Sequence, residues 1–160
     1  MDAMTAGANN LAIGHDAMSA ATTTQQSIAL GQEALGGGNV DGDYNIGIGY
    51  QAGNAVAAGD SNTLIGANAG DALTSGACNV AMGSGALGAS TSGCRNVAIG
   101  ELALGAADTT GNQNIAIGFC AGECVTSGTQ TISIGFRAGS DGEVIFGTDD
   151  NKIHLGNCDT

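Results

Sequence analysis

Residues 91–105 read TSGCRNVAIGELALG, and the phrase returns as NTLIGANAG (62–70), NVAMGSGALG (79–88) and NIAIGFCAG (114–122). Alignment on the glycine that closes each AIG-like phrase gives eight anchors: Gly14, Gly31, Gly49, Gly66, Gly83, Gly100, Gly118 and Gly135, spaced 17 or 18 residues apart. Three residues after every anchor stands an alanine, from Ala17 to Ala138, and seven before it another glycine, except at Thr24. A fixed period of this length describes a solenoid, in which each repeat is one coil and buries its face only against its neighbours. Seventeen residues are too few for a helix pair but fit a coil of short strands and tight turns.

The chemistry of the columns agrees. Glycine at fixed positions supplies left-handed backbone or close approach at corners, and the chain has no proline to interrupt an inter-coil ladder. The residues three and one before the anchor are bulky, as in Val97 and Ile99, Ile115 and Ile117, Ile132 and Ile134, while the residue between them is small. Period two places the bulky pair on one face and the small residue on the other, so both faces of the strand are apolar. One lumen cannot cover two faces, which predicts a second copy of the chain against one of them. The packing residues of this reading are Ile13, Ile48, Ile65, Met82, Val97, Ile99, Ile115, Ile117, Ile132 and Ile134. Four residues before the anchor runs a polar column, Asn10, Ser27, Asn45, Asn62, Asn79, Asn96, Asn114 and Thr131, which reads either as an amide ladder along the stack or as a turn entry.

Composition limits the function. The net charge of -12, from 15 acidic and 3 basic residues, repels a polyanion, so nucleic acid is not an expected partner. Mean hydropathy is +0.13 with 11% charged residues, the opposite of a disordered chain. No secretory signal is visible at MDAMTAG and no apolar run has the length of a membrane span, so no membrane insertion is expected.

Repeats of the form seen at 91–105 resemble the head repeats of trimeric autotransporter adhesins and, above all, the repeats upstream of the self-cleaving chaperone in phage tail-fibre proteins. The resemblance spans roughly residues 7–140. It implies an all-β, left-handed parallel β-solenoid (β-roll or β-helix) of about eight coils, assembled as a homotrimer with the bulky columns turned to the trimer interior or the roll lumen. It further implies a virion or extracellular location and a structural or adhesive role toward a cell-surface receptor. Repeats occupy 1–140, and 141–160 form a C-terminal cap or hairpin from the apolar stretches Val144 to Phe146 and Ile153 to Leu155.

No catalytic constellation is expected, nor a cofactor or metal. GSGALG (83–88) spells a nucleotide-binding fingerprint, but its first glycine is a repeat anchor and no helix can follow it within one coil. His15 and His154 belong to the first coil and to the region beyond the last. VDGDYN (40–45) lacks most ligands of a calcium loop and coincides with a one-residue insertion. Cys78 and Cys94 fall in nearly the same column of successive coils, a candidate disulfide; reduced core-tolerated thiols are the other reading. The alternative function is antifreeze-like ice binding, through a threonine column nine residues before the anchor: Thr5, Thr22, Thr74, Thr91, Thr109 and Thr126. In the adhesive reading, binding falls to the variable pairs after the anchor, such as His15–Asp16, Tyr50–Gln51, Glu101–Leu102 and Phe136–Arg137.

Overall fold

The computed structural model of the chain describes residues 5–37, 41–139 and 150–156. Each repeat contributes one three-residue strand: β1 (Leu11–Ile13), β2 (Ile28–Leu30), β3 (Ile46–Ile48), β4 (Thr63–Ile65), β5 (Val80–Met82), β6 (Val97–Ile99), β7 (Ile115–Ile117), β8 (Ile132–Ile134) and β9 (Ile153–Leu155). All nine lie in one sheet in chain order, each parallel to the next. The register keeps every column intact, with Val97 opposite Ile115 and Ile99 opposite Ile117. The chain is therefore an all-β parallel solenoid. Ile153–Leu155 adds a ninth rung in parallel on β8; Val144 to Phe146, the other half of the expected cap, lies outside the described residues.

The lumen is lined by the middle residue of each strand, small in β1 to β8 in every case but Leu64. Ala29, Gly47, Leu64, Ala81, Ala98, Ala116 and Ser133 are buried, as are the alanines three residues past each anchor. The bulky pair points outward, so of the two placements expected for it, trimer interior or lumen, the lumen is excluded. The physical reason is space, because a coil this small is filled from the opposite wall. Met18, Leu35, Leu87 and Leu104 stand four residues past their anchors and are fully buried. Where that position is Gly53, Gly70 or Gly122, the residue three further on is Val56, Leu73 or Val125, again buried. Each of the first seven coils thus places a large aliphatic side chain in the lumen at one of two positions, and the fourth adds Leu64 from its strand. A Cβ added at Gly53 would lie 2.7 Å from both Leu35 Cδ2 and Leu64 Cδ1, so large residues of adjacent coils fill the space that the glycine leaves.

Corners are built by repeated left-handed residues. Five before the anchor, Asn9, Gln26, Tyr44, Ser61, Cys78, Arg95, Gln113 and Gln130 all have φ between 52° and 61°. The anchors lie near +130°, a region open to glycine alone. The second glycine column answers a different need: at Gly76 an added Cβ would run into the carbonyl oxygen of Gly93 in the next coil, so coils touch backbone to backbone.

The asparagine column forms the ladder. Asn79 Oδ1 accepts the Asn96 backbone N–H at 2.9 Å, and Asn79 Nδ2 donates to Gly93 O at 2.8 Å and to Asn62 Oδ1 at 3.0 Å. The backbone N–H bonds recur from Asn45 through Asn114 to Thr131, every one of these residues being buried. With a left-handed residue before each, the column is also a turn entry, so both readings of it hold.

Candidate functional site

The outer face of the sheet carries the bulky side chains that the lumen does not take. Two largely apolar columns run along it, one begun by Leu11, Ile28 and Ile46 and interrupted by Thr63, the other begun by Ile13, Leu30 and Ile48. Ile48, Ile65, Val97, Ile115 and Ile132 are half-buried by their neighbours, while Ile13 is 61% exposed and Met82, Ile99, Ile117 and Ile134 are between 36% and 41% exposed. All ten packing residues expected from the sequence thus stand together on one outer stripe, none of them in the lumen. Eight rung spacings of roughly 4.8 Å make the stripe about 38 Å long. Covering a side chain left two-fifths exposed contributes about 1 kcal/mol, and the stripe repeats that at rung after rung.

The stripe widens toward the C-terminal coils. Phe119 and Phe136, the first residues after their anchors, stack with centroids 5.4 Å apart and planes 12° apart. Both are exposed, as is Leu102 in the neighbouring column. At the other end the equivalent residue is His15, exposed and paired with Asp16 at 3.0 Å.

The threonine column lies elsewhere, and its hydroxyls are already engaged. Thr5 and Thr74 donate to the carbonyls of Thr22 and Thr91 in the following coil, and Thr22 and Thr91 donate to Asp41 and Asp108. Thr126 is half-buried. Thr109 is buried, its Oγ1 donating to Val125 O at 2.9 Å, which takes it out of any exposed row. The cause is the extra residue of that 18-residue unit. Thr110 takes the outer place, its N–H bonding Thr126 O just as the Thr74 N–H bonds Thr91 O.

Part of the acidic coat is structural. Asp43, Asp60, Asp108 and Asp150 each accept a backbone N–H from the preceding coil, those of Gln25, Asp43, Thr91 and Thr129. Hydroxyl donation from Thr22 and Thr23 holds Asp41 below the usual carboxylate range, and Thr129 does the same to Asp150. Among the described residues, no group of three metal-ligating side chains comes together.

Cys78 and Cys94 are free thiols, one exposed and one half-buried. Their columns are adjacent rather than shared. Ala77 answers Cys94, its N–H donating to Cys94 Sγ at 3.3 Å, while Arg95 is the next rung over Cys78. Cys120 is buried, and desolvation, followed by the hydrogen bond and charge of Glu123, raises its thiol to about 11, which leaves it a poor nucleophile at neutral pH. His15 and His154 stand eight rungs apart, too far to share a proton or an ion.

No family model, curated protein or solved structure matches the chain.

Proposed function

We propose that this chain is a non-enzymatic structural rod, a homotrimeric β-solenoid whose outer apolar stripe packs around a common axis, serving as a segment of a viral tail fibre or surface adhesin. The observation that carries this reading is the stripe itself: a double column of bulky apolar side chains broken once, at Thr63, and half-covered by neighbours within the chain, on a protein of net charge -12. A contiguous apolar patch of this length marks an interaction surface on a soluble chain. Receptor contacts then belong to polar residues away from the axis.

The test is the mass in solution. Extrapolated to low concentration, light scattering is expected to give three times the 15.4 kDa chain mass. Ile117→Asp should reduce it to one chain with the β-sheet circular dichroism retained, because the new charge sits on the outer stripe and is buried only in the assembly. A single-chain mass before substitution, or an unchanged assembly after it, would contradict the reading.

The threonine geometry speaks against the ice-binding alternative. Its hydroxyls are spent on the coil below and one of its six members is buried, so no flat array of free hydroxyls remains in that column. A thermal-hysteresis measurement is expected to show no freezing-point gap; a clear gap would reverse the ranking of the two functions.

A further inference from the structure

We propose that the two ends of the solenoid are complementary and that copies of this chain join end to end, the β9 edge of one receiving the β1 edge of the next. Among the described residues, β1 pairs only with β2 and β9 only with β8. The bonding pattern between rungs is the same at both ends. At the first contact the Leu11 N–H donates to Ser27 O and the Gly31 N–H donates to Ile13 O; at the last, the Ile132 N–H donates to Lys152 O and the Gly156 N–H to Ile134 O. In each contact the outer two residues of the earlier strand turn their backbone groups to the later one. On β9 those residues are Ile153 and Leu155, whose groups face away from β8. On β1 the residue left over is Ala12, facing away from β2. The β9 edge therefore presents what every earlier strand presents to its successor, and the β1 edge presents what every later strand presents to its predecessor.

The side chains follow the same continuity. Ile153 and Leu155 are 66% and 70% exposed, and Leu11 and Ile13 are 47% and 61% exposed, more than the interior members of their columns, because each lacks one neighbour along the axis. Stacking β9 on β1 extends both apolar columns without a break. Such a contact is head-to-tail and does not close, so copies add without a fixed limit. This separates it from sideways association, which stops at a definite mass.

The 160-residue chain, imaged by negative-stain electron microscopy and sized by scattering over a wide concentration range, should form rods in whole multiples of about 40 Å, the height of one stack at roughly 4.8 Å per rung. Length should grow with concentration. Added salt should lengthen the rods further, since it screens the repulsion between chains of net charge -12. Ala12→Pro removes the outward N–H of the edge strand, a place where proline is tolerated, and should hold particles to a single length with their mass per unit length unchanged. Should that variant not fold, hydrogen exchange at the Ala12 amide of the unaltered chain decides: protection that rises with concentration supports the contact. Particles of one length at every concentration, a folded Ala12→Pro that still forms long rods, or an Ala12 amide equally fast throughout would overturn it.

Discussion

Replacing Gly100 by alanine is expected to prevent the solenoid from forming at its sixth coil, at a cost on the order of 4 kcal/mol or more. The backbone there has φ of +130°, outside the left-handed well that other residues enter, and an added Cβ lies 2.5 Å from Gly118 O and 2.7 Å from Gly118 C. Neither obstacle is a side chain that can swing aside. The carbonyl belongs to the next anchor, held in place by its own rung. Gly85→Asn is the matched control. Its φ of +63° lies in the left-handed well, where Asn68 stands with φ of 57° at the equivalent place one coil earlier, and its nearest contact is the flexible Leu102 Cδ2. Denaturant titration should show Gly85→Asn close to the parent and Gly100→Ala far below it or unfolded. Equal behaviour would mean that the anchors are not the close-packed corners described.

Loss of one ladder amide should be nearly as severe. Asn79→Ala strips the acceptor from the Asn96 N–H and the donor from Gly93 O, leaving two buried backbone groups unpaired at about 1–3 kcal/mol each. Asn62 Oδ1 keeps its bond from the Asn79 N–H, so the damage stays between two coils. The expected destabilisation is about 2–6 kcal/mol by the same accounting. Gln113→Ala, at an exposed corner, should shift the urea midpoint little. If the two substitutions moved the midpoint alike, the amide column would be mere turn chemistry.

The repeat made the architecture legible before any coordinates. The anchor spacing gave coils of one or two short strands, of which the structure has one of three residues, and the alternation gave its doubly apolar nature. What alternation could not give was which face turns inward, because a three-residue strand reads the same from either side. That is decided by volume on the opposite wall, through the exchange between Leu104-type and Val125-type positions, a correlation visible in the sequence only when columns four and seven past the anchor are compared. Thr109 was misplaced for a related reason, since counting back from the anchor ignores where within the coil the extra residue is absorbed. Nor did residue type announce the left-handed corner that Tyr44, Cys78 and Arg95 share, a conformation imposed by the neighbouring rungs and foreign to those side chains' preferences.

Residue-by-residue hydrogen exchange tests the stacked coil most directly. The slowest amides should recur once per repeat, at Asn62, Asn79, Asn96 and Asn114, where each backbone N–H is buried against the side-chain oxygen of the coil before it. Protection gathered into one or two continuous stretches, with no recurrence every 17 or 18 residues, would contradict the solenoid and the outer stripe built on it.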